Sequence, residues 1–88
     1  MFTITYVAGD YLTELLDDAN ASEETAVRFV IEDNTLTPKL DTARLGDATF
    51  DHEGRTVLVL DSSVAHAMAD STLDVQATDE GPQLVLRW

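Results

Sequence analysis

The chain has 88 residues, 17 acidic and five basic, and a formal net charge of -12 at pH 7. A surface this negative repels phosphate backbones and anionic lipid headgroups, which argues against nucleic-acid and membrane-surface binding. The sequence contains no cysteine, so disulfides and thiolate ligands to a metal or cluster are excluded. With 44% hydrophobic residues, we expect one hydrophobic core and a single domain over residues 1–88.

The acidic residues are spread from Asp10 to Glu80 without a long run of like charge, which is typical of a solvated acidic surface. Because Lys39 is the only lysine, the composition also suits a cytoplasm rich in salt. On this hypothesis of a halophilic source, the unfolding midpoint rises between low and molar salt, since screening relieves self-repulsion. An unchanged midpoint would contradict it. The sequence has no secretory signal or apolar run near 20 residues, so a cytoplasmic location is expected.

The first elements are predicted from a change in hydrophobic period. Phe2, Ile4 and Tyr6 alternate with threonines, which predicts a short strand. From Ala8 onward the apolar spacing becomes three and four, which predicts a helix with Asp10 and Glu14 near its start. Its apolar face comprises Tyr11, Leu12, Leu15, Leu16 and Ala19.

The middle of the chain predicts strands separated by polar turns. Pro38 argues against a central strand at its position. The Glu53-Gly54 pair indicates a hairpin between the last two strands of this part. The predicted strands are 27–31, 40–45, 48–52 and 55–60, with a turn at 32–35.

The last third predicts a short helix followed by a hairpin. Asp61, Ser62 and Ser63 supply N-capping side chains for a helix over residues 64–69. Strands at 72–77 and 83–88 flank a turn at 79–82. The order of elements predicts an α+β, mainly β fold: a mixed or antiparallel sheet with one N-terminal helix and one short helix before the last two strands.

Candidate chemical residues are few. His52 and His66 are the two histidines, the residue type used most often for acid-base chemistry, but they lie in different elements and neither belongs to a recognisable nucleophile motif. Residues 51–54 offer two carboxylates and a glycine, but no glutamate follows at calcium-loop spacing. Isolated glycines exclude a phosphate-binding loop. No catalytic, cofactor-binding or metal-ligating residue is therefore predicted, and the chain is not expected to be an enzyme.

Several segments, taken in order, resemble one known family. The first strand and helix are followed by residues 26–30, similar to that family's VRL strand, and by residues 54–61, similar to its G-V-x-V-x-V-D segment. Residues 73–75 are similar to its LDF strand and residues 81–86 to its closing GF-x-F. The family is the HesB-like domain of the A-type iron–sulfur cluster carriers, and the resemblance covers nearly the whole chain.

The resemblance implies a cluster site that these residues do not reproduce. The family ligates iron or a cluster through one cysteine after the arginine-bearing strand and two in a C-terminal Cys-x-Cys. Here the first position falls near Leu36, and the chain stops at Trp88, about where the second motif would begin. The expectation is a cysteine-less member without a cofactor, with Leu36 and Trp88 as a possible remnant site or interface.

Three hypotheses for function remain open. The first is a non-catalytic HesB-like domain, with no bound metal, that acts by binding an unidentified protein partner or by forming a homodimer. The second is a small ligand-binding protein or enzyme whose pocket involves His66 or His52, lined by one of them and two carboxylates. The third is a divalent-cation site built from carboxylates.

Overall fold

The computed structural model describes residues 1–33 and 35–88. Its strands form two sheets, and two helices accompany them. The elements in chain order are β1 (Thr3–Ile4), α1 (Tyr6–Asp18), β2 (Thr25–Glu32), β3 (Thr35–Thr42), β4 (Ala48–His52), β5 (Arg55–Leu60), α2 (Ser62–Ala67), β6 (Thr72–Thr78) and β7 (Gly81–Arg87). The predicted α+β, mainly β class is confirmed, but the strands divide into two mixed sheets where one was expected.

The larger sheet has the strand order β3-β2-β5-β4. Its central pair, β2 and β5, runs parallel, while β3 and β4 pair antiparallel at the edges. Residues 57–60 of β5 are continuously apolar, whereas in β2 the apolar run 26–31 is interrupted by Arg28. The middle of β2 and the second half of β5 are buried on both faces, as expected for interior parallel strands. This pair therefore forms the middle of the core.

The smaller sheet has the order β1-β6-β7, with β1 parallel and β7 antiparallel to β6. Helix α1 contacts β6 of this sheet and β2, β4 and β5 of the larger one, so it joins the two. Its side chains Leu12 and Leu16 are fully buried, as the three-and-four spacing predicted. Neither helix in the described part of the chain is long and apolar enough to cross a membrane.

The beginning of α1 differs from the prediction. The Thr5 side chain accepts a hydrogen bond from the Ala8 N–H, so Thr5 is the N-cap and Tyr6 is the first helical residue, not part of a strand. The first turn consequently contains no acidic residue. Asp10 lies in the second turn, where its carboxylate is free to face another element.

The strand predicted at residues 40–45 is wrong in its bounds, because β3 runs from Thr35 to Thr42 through Pro38. An edge strand pairs on one side only and so tolerates a residue without an N–H. The same holds for Pro82 in the edge strand β7.

The turn predicted at 32–35 includes Asn34, which lies outside the described residues. The remaining predicted strands, the short helix and the hairpin at Glu53-Gly54 are confirmed within about two residues.

A buried arginine fastens β3 and the following loop to the larger sheet. The Arg28 side chain is 7% exposed and donates from Nε to Asp41 at 2.8 Å. Its two terminal nitrogens donate to Asp47 at 3.2 and 2.5 Å, and one of them also donates to the Thr42 carbonyl at 3.2 Å. The side chain of Asp47 is itself only 6% exposed. The guanidinium thus neutralises a carboxylate that has little access to water.

These contacts predict acid-sensitive stability. The hydrogen bond from Arg28 holds the pKa of Asp47 below its usual value, and hydrogen bonds from the Thr42 N–H and Arg28 lower the pKa of Asp41. A lowered pKa in the folded state contributes stability above about pH 4 that is lost as the pH falls through the folded-state pKa. We therefore expect urea unfolding at molar salt, which screens general repulsion, to give a free energy of unfolding that falls as the pH is lowered below about 4. The Asp41→Asn/Asp47→Asn variant should fall less steeply; equal slopes would contradict this account.

Candidate functional site

An apolar groove opens between the two sheets beside α1. Its volume is about 490 Å³, and its described lining comes from α1, β2, β3, β6 and β7. We call it the apolar groove. Its lining residues are Tyr11, Leu15, Phe29, Leu36, Pro38, Leu73, Gln83, Leu84, Val85 and Leu86.

The register of β2 against β3 explains why the groove is apolar. Phe29 pairs with Pro38, and Ile31 pairs with Leu36. Directly paired residues in an antiparallel ladder point to the same face, so apolar side chains of both strands face the helix. Phe29 is 2% exposed and belongs to the core, whereas Leu36 is only partly buried against it. The apolar face of β3 is therefore incompletely covered.

A second, smaller apolar depression of about 230 Å³ adjoins the apolar groove. The two share Leu15 and Pro38, and the smaller one extends to Leu40, which is 50% exposed. Together they form a continuous apolar strip along β3 and α1. Exposed apolar patches of this kind on a charged surface are typical of sites that bind a protein or an apolar ligand.

The residues singled out in the sequence lie at separate places. Leu36 lines the apolar groove, and its role in a remnant site or interface stays a prediction. Trp88 follows β7, is 78% exposed, and is not among the lining residues. His66 lies exposed on α2. Of Leu36, Trp88 and the two histidines, Leu36 alone is among the described residues that line the apolar groove.

His52 meets two carboxylates, but on the surface rather than in the groove. Its Nε2 lies 2.8 Å from Oδ1 of Asp10, and one donor atom from each of Asp10, His52 and Glu53 lies within 4.8 Å of the other two. We call these three residues the Asp10-His52-Glu53 cluster. Sequence reasoning missed it because Asp10 is 42 residues from His52. Only the pairing of α1 with the β4–β5 hairpin brings them together.

Neighbouring residues hold the cluster in place. The rings of Tyr6 and His52 pack edge to face, with centroids 4.6 Å apart. The Tyr6 hydroxyl donates a hydrogen bond to Glu53, and this bond to a carboxylate raises the pKa of Tyr6. The turn residues Glu53 and Gly54 have φ angles of 50° and 84°, the positive values that a tight two-residue hairpin requires.

Gly9 makes room for the His52 ring. A Cβ at Gly9 would lie within 2.7 Å of three atoms of that ring. Glycine inside a helix normally costs about 1 kcal/mol relative to alanine. We therefore expect Gly9→Ala to destabilise the protein despite its better helix propensity, because the ring must move.

The same substitution should stabilise a His52→Ala background by up to about 1 kcal/mol, since the clash is gone. Urea unfolding of the four proteins in this double-mutant cycle measures the effect. Equal changes in both backgrounds would show that Gly9 and the ring are not coupled.

No protein-family model matches the sequence, and no curated protein matches it. Solved structures do. SufA from Escherichia coli, described as involved in biosynthesis of iron–sulfur clusters, is 18% identical with a TM-score of 0.72, over 98% of this chain and 83% of SufA.

Two further structures are similar. IscA with a [2Fe-2S] cluster is 13% identical with a TM-score of 0.68, over 99% of this chain and 84% of IscA. A protein from Aquifex aeolicus solved by NMR is 19% identical with a TM-score of 0.69, over 99% of this chain and 90% of that chain. Identities this low establish the fold alone. The fold expected from the sequence resemblance is thus confirmed: these residues adopt the IscA/HesB-like fold.

Proposed function

We propose that this chain is a non-catalytic protein-interaction domain built on the IscA/HesB-like fold, and that the apolar groove is its docking surface. The observation that supports this most is the position of Leu36. The family resemblance places a ligating cysteine there, and in this chain the residue is an apolar side chain lining an apolar groove. On this proposal, the position that holds a cluster in the family binds an apolar protein surface in this chain.

The donor set does not fit an iron–sulfur cluster. Such clusters are held by cysteine thiolates, and the 88 residues contain none. Among the described residues that line the apolar groove, Tyr11 and Gln83 are the polar ones, and neither supplies a thiolate. No cluster chemistry is therefore assigned to this chain.

The occupant we propose is an apolar protein segment, either from another protein or from a second copy. Because the net charge is -12, the ionic strength of the solution determines which of these two occupants is favoured. Two copies repel at low ionic strength and are screened at molar salt, whereas a partner with basic residues around its apolar segment is attracted. The same negative charge disfavours binding to nucleic acid and to anionic membranes. The partner we propose is therefore a protein, in the cytoplasm.

Light scattering and amide NMR at low and molar salt test the second copy as occupant. In molar salt, we expect the amide chemical shifts of residues in the apolar groove to depend on protein concentration. This dependence should be lost in Leu36→Asn. Leu45→Asn is the matched control, because Leu45 is fully exposed in the loop between β3 and β4. Shifts confined to another face would contradict the groove as the dimer surface.

A photo-crosslinking residue placed at Leu36, with one at Leu45 as control, tests another protein as occupant. Extracts of the source organism should give an adduct at position 36 that is absent at position 45. A monomer in the first experiment combined with equal labelling at both positions would contradict the proposal as a whole.

The volume of the apolar groove also supports a second candidate, a binding site for a small apolar ligand. About 490 Å³ lies within the usual range of ligand pockets. Neither histidine lines the groove, so this alternative no longer has the acid-base group that the sequence suggested for it. Stoichiometric binding of Nile red to a monomer, abolished by Leu36→Asn, would favour the small-ligand candidate over protein docking.

A further inference from the structure

The Asp10-His52-Glu53 cluster gathers three possible metal-donor atoms from two elements. Asp10 comes from the second turn of α1, whereas His52 and Glu53 come from the hairpin between β4 and β5. Their donor atoms lie within 4.8 Å of one another. The cluster is thus mixed, with one imidazole and two carboxylates, and is not simply a patch of acidic surface.

The imidazole is held in a fixed position. The His52 side chain is only 11% exposed, and its ring occupies space that exists because residue 9 is glycine. Tyr6 packs against the ring from another side. Packed in this way, the ring has its Nε2 atom directed towards Asp10. A ligand whose orientation is fixed before binding loses little conformational entropy when a metal arrives.

The two carboxylates carry more negative charge than their surroundings balance. In the described part of the chain, neither Asp10 nor Glu53 forms an ion pair with lysine or arginine. Arg55, which begins β5 in the same hairpin, pairs instead with Asp17 at 2.9 Å. Two carboxylates whose oxygens lie within 4.8 Å of one imidazole nitrogen, in a protein of charge -12, attract a cation.

The donor chemistry selects the kind of cation. Calcium and magnesium prefer sites made only of oxygen, with six or more ligands for calcium. An imidazole with two carboxylates suits a borderline transition ion such as zinc. Tetrahedral zinc with bonds of about 2.0 to 2.1 Å places its ligand atoms about 3.3 Å apart. The present 2.8 Å between Nε2 and Oδ1 reaches that value with a small rotation of Asp10, whose side chain is 57% exposed.

We propose that the Asp10-His52-Glu53 cluster is a binding site for a divalent transition-metal ion of the zinc class. His52 Nε2 and one oxygen from each carboxylate are the ligands, and the fourth position is open to water or an exogenous ligand. Tyr6 orients Glu53 through the hydrogen bond from its hydroxyl. The ion ties α1 to the β4–β5 hairpin. Because the cluster residues do not line the apolar groove, the site is independent of the docking proposal.

Calorimetric titration of chelator-treated protein with Zn²⁺ tests this assignment. We expect one ion per chain and a higher melting temperature with zinc, because a ligand that binds only the folded state stabilises it. A hundredfold excess of Mg²⁺ should not displace the zinc. Absence of binding, or displacement by Mg²⁺, would overturn the proposal.

Variants identify the ligands. Asp10→Asn and Glu53→Gln should each weaken zinc binding by at least about tenfold, and His52→Gln should weaken it further. His66→Gln is the matched control, because His66 is the only other histidine and lies on α2. Because the Asp10 side chain is 57% exposed, misfolding does not explain a loss of affinity in Asp10→Asn. Unchanged affinity in this variant would overturn the site. So would an equal loss in His66→Gln.

NMR supplies a readout that does not depend on stability. Zinc should shift the imidazole resonances of His52 and leave those of His66 in place. Shifts of both histidines to the same extent would indicate non-specific binding and contradict the assignment.

Discussion

Replacing Arg28 with methionine is expected to lower the free energy of unfolding by about 3 kcal/mol. Methionine keeps much of the aliphatic length of the side chain but removes the hydrogen bonds that Arg28 donates to Asp41, Asp47 and the Thr42 carbonyl. The side chain of Asp47, 6% exposed, is then left buried without its counter-charge. A domain of this size is typically stable by about 4 to 13 kcal/mol, so the loss is a large part of the total. Urea unfolding at neutral pH measures it.

Two further variants separate charge burial from packing. Arg28→Met/Asp47→Asn should recover part of the loss, because the uncompensated buried charge is gone. Arg87→Met is the control, since Arg87 pairs with Asp74 at the surface and its side chain is 55% exposed. It should change stability little. Equal losses in Arg28→Met and Arg87→Met would contradict a structural role specific to the buried arginine.

Replacing Leu58 with alanine is expected to cost about 3 kcal/mol, within the range for leucine truncation in a packed core. Leu58 is fully buried in β5 and lies opposite Val27 in the parallel ladder and Phe50 in the antiparallel one. Both neighbouring strands hold the backbone in place, so the cavity left by the missing methyl groups cannot close easily. Thermal and urea unfolding should agree on the loss.

Leu45→Ala provides the same chemical change in the opposite environment. Leu45 is fully exposed, so its truncation should alter stability by less than about 0.5 kcal/mol. If Leu45→Ala cost as much as Leu58→Ala, the arrangement of the core around β5 would be wrong.

The fold could be predicted largely because its central strands carry strong signals. Residues 57–60 are apolar in succession, and the structure buries all four in the parallel pair at the centre. The bounds of β3 could not be predicted, because Pro38 argues against a strand until its place at an edge is known. The sequence does not predict the start of α1, because Tyr6 fits the alternation of β1 and only the Thr5 cap shows that the helix has begun.

The candidate sites were less accessible from the sequence. The family resemblance points to Leu36, but the apolar groove around it also needs β7 of the other sheet, which no local sequence pattern places near β3. For His52, the sequence indicates no more than a candidate acid-base residue. Its carboxylate partner Asp10 lies in α1, and so does Gly9, which leaves space for the His52 ring. The cluster therefore depends on a contact between residues far apart in the sequence. Trp88 has no observed part in either site.

Anaerobic reconstitution with ferrous iron and sulfide tests most directly the claim that this IscA/HesB-like fold does not hold a cluster. Iron and acid-labile sulfide are measured per chain after desalting, with IscA, whose structure contains a [2Fe-2S] cluster, as the positive control. The account predicts no bound sulfide here, because no thiolate is present. Any iron held by the Asp10-His52-Glu53 cluster would be sulfide-free and absent from His52→Gln. Near-stoichiometric iron together with sulfide would contradict the account.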